Sequence, residues 1–165
     1  MLENGGNYMS LDKPLEKPLE KPLEKPLEAN KELIRRLLGA LNAHDLDAAG
    51  TFLAPDFTGH FGSTEPVRGR DGWKLLVGSF LAAFPDIEGT LDDMVAEGDR
   101  VMSRETWRGT HQGTFEGIPA TGRQVAFQGI AISRIAGGQI VEEWVELDAL
   151  GLLQQIGAMP ARTSP

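Results

Sequence analysis

The sequence contains no cysteine, which excludes a disulfide framework, a zinc knuckle and a thiol nucleophile. Histidine is scarce: His44, His60 and His111 stand far apart with no HExxH-type spacing, so no metal site is expected. Tyrosine occurs once, at Tyr8, near the N-terminus. Long apolar runs are missing as well. The longest, Leu75 to Phe84, is too short for a bilayer span of ~20 residues. Positive charge is in deficit, with 16 Lys and Arg against 24 acids and a net charge of -8, which argues against nucleic acid or an anionic membrane as partner. Met-Leu-Glu-Asn-Gly-Gly has neither a basic start nor an apolar run, so no secretory leader is expected and the chain reads as cytoplasmic.

What is present is enough for one domain of 165 residues at most, with 41% hydrophobic residues to build a core. Residues 1–28 stand apart. From Lys13 to Glu28 the motif Lys-Pro-Leu-Glu repeats four times, and a proline at every fourth position disfavours helix. Residues 1–28 are therefore expected to be an extended or disordered tail, residues 29–158 the folded domain and residues 159–165 a flexible C-terminus.

Within the domain, Asn30 is placed to cap a helix carrying Leu33, Ile34, Leu37, Leu38 and Leu41 at helical spacing. Asp45 caps a second, shorter helix, ended by Pro55, and Asp56 to Phe61 reads as a short strand. A third helix starts at Asp71 and stops at Pro85, with Trp73, Leu76, Val77, Phe80 and Phe84 on one face. The pattern then becomes extended. Residues 87–97 and 100–111 flank a Gly98-Asp99 turn, and residues 123–135 and 139–147 flank Gly137-Gly138. A last helix is expected over residues 149–156. Helices followed by a mostly antiparallel, strongly curved sheet make an α+β domain of cone shape, with an interior cavity for an apolar small molecule as the default site.

Three blocks carry a resemblance: Asn42-Ala-His-Asp-Leu-Asp with Ala54-Pro-Asp-Phe-Thr-Gly-His60, then Gly109 to Gly122, then Gly138 to Asp148 followed by Gly151-Leu-Leu-Gln-Gln-Ile-Gly157. Together they resemble the SnoaL-like polyketide cyclase family, of the nuclear-transport-factor-2-like cone fold. The resemblance implies ring closure of a polyketide by intramolecular aldol condensation without metal or organic cofactor. It also implies an aspartate near the end of the last strand as acid/base, which Asp148 matches.

Strand alternation puts Ile140, Glu142, Trp144, Glu146 and Asp148 on one face, so an inward Asp148 brings Trp144 with it. Asp148 fits equally as the N-cap of the helix that follows it. His111, at a strand end before a glycine-rich loop, is a candidate to polarise a carbonyl or relay a proton, and His60 to line the cavity mouth. Gln128 is a candidate ligand-binding amide among apolar neighbours, with either Phe127 or Ile130 shaping the pocket. Arg104 resembles a family arginine that pairs with a cavity carboxylate, and it also fits a solvated charge. The set Val101, Ser103, Glu105 and Trp107 offers a mixed surface for a homodimer.

A ketosteroid-isomerase-like site lacks its tyrosine, since Tyr8 lies in the tail. A limonene-type epoxide hydrolase needs a second aspartate beside Arg104 and Asp148 that cannot be placed. A non-enzymatic small-molecule binding or dimerisation module is the remaining alternative.

Overall fold

The computed structural model describes residues 24–62 and 65–160. The first helix, α1, spans Glu24–Asn42 and buries Ile34 and Leu37. It begins at Glu24, the last residue of the third Lys-Pro-Leu-Glu repeat, and takes in the whole fourth, because Pro26 falls in the first turn, where no helical N–H bond is lost. Asn30 is accordingly a helical residue and not the cap. Residues 13–23, which are the first three repeats without Glu24, lie outside the described residues. Asn42 ends the helix as a clasp: its amide donates to the Gly89 carbonyl at 2.9 Å and accepts from the Gly89 N–H at 2.8 Å.

Asp45 caps α2 (Leu46–Thr51) by accepting from the Ala48 N–H at 2.8 Å. The chain extends earlier than Pro55 suggests, giving β1 (Leu53–Phe61), then β2 (Val67–Arg68) and α3 (Gly69–Ala83). Two hairpins follow, β3 (Glu88–Glu97) with β4 (Arg100–Thr110) and β5 (Gln124–Ala136) with β6 (Gln139–Leu147). Gly98, Gly137 and Gly138 take the positive φ those turns require. The final helix, α4, spans Ala149–Ile156.

The six strands form one sheet in the order β2-β1-β6-β5-β4-β3, antiparallel except where β1 runs parallel to β6. α1 and α3 pack on its inner face, where one core cluster joins Ile34, Leu37, Phe57, Trp73 and Ile140. A second cluster joins Phe84, Ile87, Phe127, Leu152 and Ile156, tying α4 to β5 and the end of α3. Burial on β5 alternates without a break, so Val125, Phe127, Gly129, Ala131, Ser133 and Ile135 face inward. Gln128, Ile130 and Ile132 therefore face out. β6 follows a different rule. Ile140 pairs Ile135 and Glu142 pairs Arg134, so Val141 is an extra residue, a β-bulge that reverses the parity beyond it. Ile140 and Glu143 are both buried, whereas Glu142 and Trp144 share the outer face with Arg134.

Candidate active site

Between the inner sheet face and helices α1 and α3 lies a cavity of about 370 Å³. Leu37 and Leu41 from α1, Val77 and Phe80 from α3, and Trp107 and Phe127 from the sheet supply much of its apolar wall. Its ionisable lining groups are three carboxyls, Glu105, Glu116 and Glu143, with no Lys, Arg or His among the described residues that line it. The set Val101, Ser103, Glu105 and Trp107, expected on a pairing surface, instead belongs to the inner side. Val101 and Ser103 are buried, and Ser103, Glu105 and Trp107 line the cavity.

Glu143 is buried, and its carboxyl accepts a hydrogen bond from the Ser133 hydroxyl at 2.8 Å. Burial pushes its pKa up to about 7, the Ser133 bond opposes that rise, and the Glu105 charge adds to it. Burial also raises Glu105, against hydrogen bonds from Ser103 and Trp107 that favour its carboxylate. These are the groups that sequence reasoning missed. The signal available for Glu105 was its shared parity with Val101 and Trp107. For Glu143 the bulge at Val141 hides the parity.

The residues expected from the sequence are placed elsewhere. Asp148 is exposed and caps α4, accepting from the Gly151 N–H at 2.8 Å, and it does not line the cavity. His111 is fully buried at the start of the 111–122 loop, with Nδ1 3.1 Å from the Thr121 hydroxyl and its ring 5.2 Å from Phe84. It too is absent from the lining. His60 and Trp144 stack at 5.3 Å on the outer face, and His60 Nε2 lies 3.1 Å from Glu142. Gln128 is exposed on the outer side of β5, where its carbonyl accepts from the Asp148 N–H. Arg104 pairs with Asp92 and Asp93, outside the cavity, so no Asp-Arg-Asp relay is assembled there. Only His60 and Trp144, and Gln128 with Asp148, are brought together in pairs. Among the described residues no group of three or more His, Asp or Glu is arranged to hold a metal ion. Nor is any helix there long and apolar enough to cross a membrane.

A curved open sheet with helices on its inner face, closing over an apolar cavity, defines the cone-shaped nuclear-transport-factor-2-like class. Residues 31–156 match the SnoaL-like polyketide cyclase family, and the chain belongs to it. It is 28% identical over 130 residues to the aklanonic acid methyl ester cyclase DnrD of Streptomyces peucetius, covering 76% of this chain and 89% of that protein. Among solved structures it is similar to AclR of Streptomyces galilaeus, a proposed hydroxylase, at 30% identity and a TM-score of 0.77, covering 84% of this chain and 87% of that one. It is also similar to IdmH of Streptomyces antibioticus, a proposed polyketide cyclase, at 35% identity and a TM-score of 0.69, covering 78% and 98%.

Proposed function

We propose that this protein closes or rearranges a polyketide-like, enolisable carbonyl compound inside its cavity, by acid/base catalysis from a carboxyl group and without a metal or organic cofactor. The observation that carries the reading is the cavity itself, whose ionisable lining among the described residues consists of carboxyls alone. Such a lining disfavours an anionic ligand by like-charge repulsion in a low-dielectric site and leaves proton transfer as the chemistry its side chains supply. An uncharged ester suits it, and DnrD is named for the cyclisation of a methyl ester. The apolar wall binds the body of the substrate, and the carboxyls act where the carbonyl lies.

A homodimer formed through the outer sheet face accompanies this reading, because Ile130, Ile132 and Val95 are exposed there. A binding module without turnover is the second reading. It is favoured by one fact: the aspartate and histidine expected to do chemistry line no part of the cavity.

The test is a panel of aromatic polyketide methyl esters and their free acids, followed by thermal shift and by product analysis. Binding and conversion of the esters, with the acids bound more weakly, is the expected result. Binding without conversion establishes the binding module, and tighter binding of the acids refutes the electrostatic argument.

A further inference from the structure

The inner face of the sheet carries two carboxyls of different surroundings on the wall of one cavity. Glu143 stands on β6 beside Ser133 of β5, which in turn pairs with Val101 of β4. Glu105 stands two strands away and four residues further along β4, paired with Gly129 of β5. Two strand spacings separate the carrying strands by ~10 Å. The inward positions between them are Ser103, Gly129, Ala131, Ser133 and Val145, and Leu147 leans over Gly129, where a Cβ would stand 2.6 Å from its Cδ2, so the two carboxyls are set in one apolar stretch of the cavity wall. Their donors differ as well. Glu105 is less buried than Glu143, and although burial raises its pKa, hydrogen bonding from Ser103 and Trp107 works against that rise. Glu143 receives one, from Ser133, but is the more deeply buried, and it is this burial that favours its neutral acid.

We propose that Glu105 and Glu143 divide the proton transfers of the cavity reaction, Glu105 as the base and Glu143 as the acid, with the substrate carbonyls lying in the cavity between them. This assignment rests on the acid/base reading above. Glu105 takes a proton from the carbon next to one carbonyl, and the C–H electron pair becomes an enolate. The enolate carbon attacks the second carbonyl carbon, a C–C bond forms, and the displaced C=O pair moves to oxygen. That oxygen takes the proton of Glu143. Return of the abstracted proton from Glu105 to Glu143 through water restores both groups with no net proton gained or lost. Asp148 takes no part beyond capping α4.

The test uses the full chain and three variants, Glu105→Gln, Glu143→Gln and Asp148→Asn, with a bicyclic aromatic ketone as probe. Deuterium exchange at the carbon next to its carbonyl, followed by NMR in heavy water, reads the base step without needing the natural substrate. The expected result is that Glu105→Gln slows exchange by about 100-fold or more while the probe still binds, and that Glu143→Gln, whose proton is needed only after the enolate forms, slows ring closure of an aromatic diketone by a similar factor. Asp148→Asn should stay within about three-fold, since Asn caps a helix as well as Asp does. Exchange that survives Glu105→Gln, ring closure that survives Glu143→Gln, or exchange lost only in Asp148→Asn, overturns the assignment while leaving acid/base catalysis standing. A probe that binds the wild type without exchanging sinks the catalytic reading instead. In that event, titration of carboxyl-labelled glutamate decides whether the pair is built as described. The resonance lost in Glu143→Gln must titrate above the one lost in Glu105→Gln, and the reverse order overturns the division.

Discussion

Replacing Glu143 with Gln should make the domain more stable at alkaline pH, and the size of the gain follows from burial. The folded-state pKa stands near 7 against an ordinary value of 4.5. Each unit corresponds to ~1.4 kcal/mol, so the shift amounts to about 3 kcal/mol of differential stability. The sign follows from linkage. Below pH 4.5 the group is protonated in both states and costs nothing. As pH rises from there to about 7, the unfolded chain releases its proton while the folded chain holds it, so folding stability falls across that window. Above it the loss is complete and constant. Gln cannot ionise, and its amide oxygen still accepts from Ser133, so the variant escapes this loss. Urea unfolding of wild type and Glu143→Gln at pH 4, 6 and 8 measures it, because titrating groups that do not interact with Glu143 cancel in the difference. The variant's advantage should grow by about 3 kcal/mol from pH 4 to pH 8. A difference independent of pH would refute the claim that this carboxyl is desolvated. Growth in the opposite direction would mean that a cation, not an apolar wall, faces it.

Other expectations test neighbouring parts of the argument. Asp148→Ala should cost about 1 kcal/mol in chemical denaturation by removing the α4 cap, whereas Asp148→Asn should be nearly neutral; equal losses in both would point to a role beyond capping. Gly89→Ala should destabilise by about 1–3 kcal/mol. A Cβ there would stand 2.8 Å from the Trp107 ring and 2.9 Å from Leu38, so the same variant should also perturb Trp107 fluorescence. Ile132→Glu, on the exposed outer face, should convert a dimer to a monomer by light scattering, and a monomeric wild type at micromolar concentration rejects the pairing surface.

Much of the architecture was legible because local chemistry carries it. Gly98-Asp99 and Gly137-Gly138 announce hairpins, and the structure puts positive φ at Gly98, Gly137 and Gly138. Asp45 and Asp148 each precede a helix they cap. The start of α1 was not legible, since a proline inside a repeat reads as a breaker unless it falls in the first turn. The candidate site was read on the wrong face of the sheet. Alternation assigns side chains to faces only while a strand keeps its period, and the extra residue at Val141 reverses every assignment from Glu142 onward. Charged Glu105 and Glu143 also look like surface residues, and only the cavity gives them an inward place.

The order of elements, the α+β class and the family were therefore determined by the sequence, through periodicity, turn residues and three motif blocks. Which carboxyls enter the cavity was decided by tertiary structure alone. The parallel docking of β1 on β6 and the bulge that accompanies β6 pairing with β5 are long-range contacts. No local propensity encodes them, yet the bulge sets which way Glu143 and its neighbours point.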